Sequence, residues 1–171
     1  MAAKKKAGKK KAGKKKAGKK KAGKKKRVSP IPEGYGVVTP MMNQVDAKAT
    51  IDFCKKAFGA KLRGQMVLPN GKLMHAEIEI GGSAIMLSDA MRDPARVSSL
   101  MIYVTNIDKT IAKATAAGAK VSMPPEDMFW GDRFGQVIDP QGNLWSLGTH
   151  IEDVSTADTK KRFKQFAKQF G

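Results

Sequence analysis

The amino-acid sequence predicts an α+β protein: two β-α-β-β-β modules, a C-terminal helix and a disordered, lysine-rich N-terminal tail. Three observations carry this. Turn signals at Pro69-Asn70-Gly71 and Gly81-Gly82 separate short β-prone runs, the mark of consecutive hairpins. Residues recur in register: Ile51 with Ile111, Ala57 with Ala117 and Gly82 with Gly142 at an offset of 60, and Gly59-Ala60-Lys61-Leu62 with Gly118-Ala119-Lys120-Val121 at 59. An internal duplication explains this better than chance. Finally, the formal charge of +18 is concentrated at one end of the chain.

From Lys4 the sequence reads KKKAG four times and then KKKR, so residues 1–27 hold fifteen Lys, one Arg and no acid. Setting those sixteen aside from the 33 basic residues leaves seventeen against fifteen acids, a near-neutral remainder of 144 residues and one domain's worth of chain. The repeat repels itself and has nothing to bury, so it is expected to be disordered alone. Lys4, Lys9, Lys14, Lys19 and Lys24, which open the five triplets, and Arg27 are candidate contacts to nucleic-acid phosphates, made by counterion release without base readout. The spacing resembles the Lys/Ala-rich tails of linker-histone-like nucleoid proteins. A solubilising or incidental extension, with Val28 as the true first codon, is the competing reading. A single cysteine, Cys54, excludes an intramolecular disulfide and fits a reducing, cytoplasmic compartment. No apolar run approaches the roughly 20 residues that span a bilayer, and no apolar segment follows the basic start, so neither a membrane partner nor a secretory signal is expected.

Residues 28–35, with Pro30, Pro32 and Gly34, read as a linker, and residues 36–171 as the domain. The β-branched run at 37–42 predicts a first strand. A helix follows over 46–58, with Ala49, Phe53 and Ala57 on one stripe and Gly59 as its C-terminal cap. Strands are then expected at 61–68, 72–80 and 83–88, closing a module over 36–88. Pro94 breaks the loop at 89–97. The second module, 98–149, repeats the order: a strand at 98–104, a helix at 108–117 ended by Gly118, and strands at 120–123, 133–138 and 144–149 around the turn Asp139-Pro140-Gln141-Gly142-Asn143. A last helix is expected over 155–170, opened by Ser155 with Asp158 as an approximate capping box, its stripe of Phe163, Phe166, Ala167 and Phe170 packing on the domain or on a dimer partner.

IDFCKKAFGA in the first module, NGKLMHAEIEIGGSAIMLSD at its end and FWGDRFGQVIDPQGNLWSLGTHIEDVS at the close of the second together resemble the vicinal-oxygen-chelate superfamily, in particular its PhnB-like glyoxalase/bleomycin-resistance group. The likeness covers about residues 36–171 and does not reach the tail. It implies that each module curls its strands into an incomplete barrel, with helices outside and a cavity within. Strand alternation then sets Met74, Ala76, Ile78, Ile80, Ile85 and Leu87 toward the helix, and His75, Glu77, Glu79, Ala84, Met86 and Ser88 toward the cavity.

Metal-dependent members of that superfamily hold a divalent ion with His, Gln or Glu at four positions, on the first and last strand of each module. The matching positions here are Thr39, Met86, Ser99 and Ser146, none of which replaces an imidazole or carboxylate. No metal or cofactor is expected, nor is a metallo-glyoxalase or extradiol dioxygenase. Those four residues, with Met101, become candidate ligand contacts, and Met66, Met86 and Met101 an adaptable apolar lining. His75 and Glu77 share a strand face about 7 Å apart, either a general acid/base pair or a polar pair contacting ligand. Trp130 can stack on a planar ligand, and Asp132 and Arg133 can bind polar groups or brace the turn as a pair. Trp145 belongs to the core. Cys54 stands where the family usually has Tyr, and Asn143 where it often has His, both expected at the cavity rim.

Three functional readings follow. The first is a metal-independent protein that binds a small organic molecule, with a tail that localises it to nucleic acid. The second is a lyase or isomerase using His75 and Glu77 for proton transfer. The third is a nucleoid-associated protein whose domain serves to dimerise; a homodimer is expected in any case.

Overall fold

The computed structural model describes residues 1–2 and 28–169; the expectations for residues 3–27 and for Phe170 lie outside them. The chain divides into two units, Met1–Pro30 and Ile31–Gly171. In the second unit β1 (Met41–Gln44), α1 (Ala47–Phe58), β2 (Lys61–Val67), β3 (Leu73–Ile80) and β4 (Ser83–Asp89) form one module, and β5 (Ser99–Tyr103), α2 (Ile107–Ala116), β6 (Lys120–Asp127), β7 (Asp132–Ile138) and β8 (Leu144–His150) the next, before α3 (Thr156–Ala167). The two four-stranded sheets have the same order, β1-β4-β3-β2 and β5-β8-β7-β6. Each is antiparallel except where its first strand runs parallel to its last, and neither closes into a barrel.

Local chemistry explains the boundaries. Asp46 caps α1 by accepting from Ala49 N, and Gly59 ends the helix in the left-handed conformation (φ 68°), which a residue without Cβ adopts without strain. Asn106 caps α2 in the same way through Lys109 N. The duplication extends to a second tether on each helix: Asp89, at the end of β4, accepts from Ala47 N at 2.8 Å, and Thr149, 60 residues on in β8, accepts from Ile107 N at 2.9 Å. Ser155 and Asp158 cap α3 as expected, the serine hydroxyl accepting from Asp158 N and donating to its carboxylate.

Two strands depart from expectation. β1 begins at Met41, not at residue 37: Pro40 has no N–H for the ladder, and Val37 and Val38 stay exposed. β6 runs on through Pro124-Pro125 to Asp127, which an edge strand permits, at the cost of register shifts on either side of Met123. In β3 the expected inward Met74 is exposed. The register passes from Met66↔His75 to Val67↔Leu73, so Met74 is an extra, bulged residue and Leu73 takes the buried place.

The core lies on the helix faces of the two sheets, where α1 and α2 also pack on each other. Trp145 of β8 is fully buried, its ring 4.9 Å from Phe58 and 6.5 Å from Phe53 of α1. A buried polar network ties the modules alongside it. Gln44 Oε1 accepts from Thr50 at 3.1 Å and from Asn143 Nδ2 at 2.7 Å, and Asp139 accepts from Asn143, from Trp145 Nε1 and from two backbone amides of its own turn. Asn143 is therefore an internal tie rather than a rim residue. Cys54, likewise completely buried, faces α1's packing partners, and burial pushes its thiol pKa up. α3 docks through Phe163 and Phe166, 5.5 and 5.2 Å from Phe129, just before β7.

Candidate functional site

Each sheet turns one face to the helices and leaves the other open, and the open faces carry matching rows. In the first module the row crosses Gly64, Glu77, Met86 and Met41; in the second, Met123, Gln136, Ser146 and Met101. Glu77 and Gln136 are thus equivalents, 59 residues apart. Because the side chains are on the open side, both rows are available to a ligand, and their chemistry differs.

On the first face His75 Nε2 lies 3.1 Å from Glu77 Oε1, with roughly a quarter of each side chain exposed (27% and 25%). Tyr35, from the stretch read as a linker, donates its hydroxyl to Glu77 as well; this bond first, then that of His75, holds the Glu77 carboxyl below its ordinary range. The same bond raises the phenol's pKa. Met66 stands beside His75 and Met86 beside Glu77 on neighbouring strands, so a polar pair sits among thioethers. A cavity of about 780 Å³ lies apart from the pair: Tyr35 lines it, but Met66, His75, Glu77 and Met86 do not, and it runs along Val38, Pro40, the Gly81-Gly82 turn and residues 100–103 of the second module.

On the second face the polar groups are already engaged. Gln136 Nε2 donates to Ser146 Oγ at 3.0 Å. Asp132, 4% exposed, accepts from Tyr103 at 2.9 Å and Trp130 Nε1 at 3.0 Å and meets His150 Nδ1 at 2.7 Å, while His150 Nε2 reaches Asp153 at 3.0 Å. Burial would raise the Asp132 pKa, but the hydrogen bonds of His150, Tyr103 and Trp130 outweigh it and hold the carboxyl low. His150 is raised in turn by Asp132 and Asp153. Trp130 thus spends its N–H on Asp132 and its ring edge on Phe129 and Phe134. Arg133 alternates to the helix side, where it forks onto Asp108 at 2.9 Å through two nitrogens and onto Asp127 through the third. It neither faces the open side nor pairs with Asp132.

The structure therefore brings together His75, Glu77 and Met86 on one face and Met101, Ser146 and Asp132 on the other. Thr39 lies ahead of β1, its hydroxyl donating to Gly36 O at 3.2 Å, and Ser99 is exposed at the start of β5; both sit away from the row that crosses each sheet. Tyr35, Gln136, Tyr103 and His150 were not singled out from sequence. The 59-residue offset from Glu77 leads to Gln136, and alternation from Met101 leads to Tyr103; nothing in RVSPIPEGYG separates Tyr35 from a spacer.

The profile of the Glyoxalase/Bleomycin resistance protein/Dioxygenase superfamily matches residues 36–147. The chain belongs to this superfamily. An uncharacterised protein of Mycobacterium bovis is 36% identical over 130 residues, 69% of this chain and 86% of its own length. Among solved structures, the PhnB protein of Bacillus cereus superposes with a TM-score of 0.55 at 16% identity, over 67% of this chain and 99% of that one. TnmS3, an antibiotic binding protein from Streptomyces sp. CB03234, gives 0.53 at 21%, over 64% and 91%. At these identities the structures establish the fold. The four positions to which the resemblance pointed, Thr39, Met86, Ser99 and Ser146, do not fit a divalent ion: they hold a thioether and three hydroxyls, two of the hydroxyls already bonded within the protein, and across the strands Met86 and Ser146 face Met41 and Met101, again thioethers. Among the described residues no group of three or more His, Cys, Asp or Glu is placed to hold a metal, and no helix is long and apolar enough to cross a membrane.

Proposed function

We propose that this member of the superfamily binds a small organic ligand on the open face of its first sheet, without a metal. The observation that carries the reading is the His75–Glu77 pair, part-exposed on an open sheet face and set between Met66 and Met86. A few convergent polar groups in an adaptable apolar surface are what a small-molecule site requires. An antibiotic binding protein among the structural neighbours supports the same class of role. The test is a thermal-shift screen of the full chain against aromatic and heteroaromatic compounds, with and without divalent metals. Metal-independent stabilisation is expected, because a ligand that binds only the folded state raises Tm; stabilisation that appears only with a stoichiometric metal ion contradicts the reading.

A second reading, a lyase or isomerase, draws on the 3.1 Å contact between His75 and Glu77, which is hydrogen-bonding distance for an acid/base pair. Turnover that survives His75→Ala on any identified substrate removes it. Two further proposals concern partners. The lysine repeat binds nucleic acid through phosphates, so deleting residues 1–27 abolishes binding together with its steep salt dependence; retention of both argues against it. A second copy of the chain covers the open face of the second sheet, where Met101 and Tyr103 are 43% and 66% exposed. Sedimentation equilibrium should then give twice the chain mass, and a monomer at all concentrations refutes it.

A further inference from the structure

The first open face is already in use by the protein itself. Tyr35 lies in the stretch ahead of β1, and its hydroxyl donates to the Glu77 carboxylate that also meets His75. The ring is covered by Arg63, whose guanidinium carbon stands 5.2 Å from the ring centroid, within reach of a cation–π contact. Arg63 is the extra residue of a β-bulge: the register passes from Leu62↔Ile78 to Gly64↔Glu77, which turns it out of the ladder. From there its Nη1 donates to Gly34 O at 3.0 Å. Gly34 itself is left-handed (φ 79°), a conformation that glycine adopts without strain, and a Cβ there would push the same guanidinium out of its place. One exposed arginine thus grips both the ring and the backbone of the stretch.

What holds the stretch is sparse compared with the core. Among the described contacts, it pairs with no strand, and residues 33, 34 and 36 are exposed with Tyr35 only part-buried. Gly34, Tyr35 and Gly36 also line one wall of the 780 Å³ cavity, so the stretch borders open space on that side. A segment whose bonds are otherwise local, Tyr35 N to Pro32 O and Thr39 Oγ1 to Gly36 O, and which meets the sheet through a phenol and one arginine, belongs to the low-stability end of a fold.

We propose that residues 33–36 are a displaceable strap whose Tyr35 phenol is the resident occupant of the first site, and that the ligands which take its place are aromatic compounds carrying a phenolic hydroxyl. This rests on the reading of the first open face as a ligand site. The occupant states the specificity: an acceptor carboxylate for the hydroxyl, a guanidinium over the ring and thioethers around it. Wild-type affinity is reduced by the fraction of molecules in which the strap is seated, and the strap competes as a tethered group at an effective concentration on the order of millimolar.

The probe is p-cresol, the tyrosine side chain cut from its backbone, with toluene as the hydroxyl-free control. Calorimetric titration of the full chain should show Tyr35→Ala binding p-cresol at least about tenfold more tightly than wild type, with Tyr35→Phe between them. Toluene should bind the variant weakly, and adding Glu77→Gln to Tyr35→Ala should cancel most of the gain for p-cresol and none for toluene. Equal affinity for p-cresol in wild type and Tyr35→Ala, or a gain that toluene shares in full, overturns the strap. The Tyr35→Phe comparison covers the case in which the alanine variant loses its fold. A screening hit that binds wild type and Tyr35→Ala alike sinks the strap but leaves the ligand site standing; p-cresol binding confined to Tyr35→Ala when every screened compound fails upholds the strap and counts against the wider reading.

Discussion

The two modules repeat one frame, and they differ in where they keep a carboxylate and what surrounds it. In the first, Glu77 sits mid-row on the open face, a quarter exposed, bonded to His75 and to Tyr35 from outside the module. In the second, the equivalent position is the neutral Gln136, occupied by Ser146, and the carboxylate has moved to Asp132 at the head of β7, buried under three donors. The scaffold is common down to the helix tethers Asp89 and Thr149. The chemistry is not: an acceptor with partners that can be exchanged suits binding, whereas one saturated by Tyr103, Trp130 and His150 suits holding a hairpin together. After a duplication, one copy of the face keeps its carboxylate part-exposed and the other buries it as a brace.

The largest expected effect separates brace from site. Asp132→Ala leaves Tyr103, Trp130 and His150 without their acceptor, and should lower stability by about 3 kcal/mol in urea denaturation. Glu77→Ala, at the part-exposed carboxylate, should cost about 1 kcal/mol or less. Equal losses would dissolve the contrast.

A smaller effect is the pH dependence of the brace. His150 has a folded pKa above its ordinary 6.5, so its contribution is fully present below that value and is lost as pH rises through the higher folded one. Asp132 is depressed below its ordinary 3.8, so its part is present above that value and is lost as pH falls through the lower folded one. Between the two the brace is complete. Melting temperature should therefore fall on the alkaline side of 6.5 more steeply in wild type than in His150→Gln; parallel curves would show that the imidazole contributes nothing there.

Much of the frame is legible in sequence because it is written in local chemistry. Asp46, Gly59, Ser155 and the glycine hairpins mark ends by hydrogen bonding and backbone freedom alone, and the 60-residue register carries the first module's order into the second. Local signals also misled: Val37 and Val38 have strand propensity, but Pro40 denies them a ladder. The site was legible in part. Alternation along β3 put His75 and Glu77 on one face, until the bulge at Met74 broke the alternation. Partners across the sheet are a different matter. Arg133 lies 25 residues from Asp108, and Tyr103 lies 29 from Asp132; only pairing decides them, and their side-chain types give no hint. Tyr35 was hidden for the opposite reason, since proline and glycine around it have the composition of a spacer while Arg63 makes it part of the fold.

At the first site, Glu77→Gln should weaken a ligand from the screen about tenfold with little change in stability, the loss of one charge-assisted hydrogen bond. Unchanged affinity would move the ligand elsewhere.

If the first open face binds and the second does not, the methionines report on both. Carbon-13 labelling of the methionine methyl groups, followed by NMR titration of the full chain with a screening hit, reads Met66 and Met86 beside the His75–Glu77 pair and Met123 in the row of Gln136 and Ser146. Met66 and Met86 should shift with ligand and Met123 should not move. A titration in which Met123 shifts while Met86 stays still would contradict this.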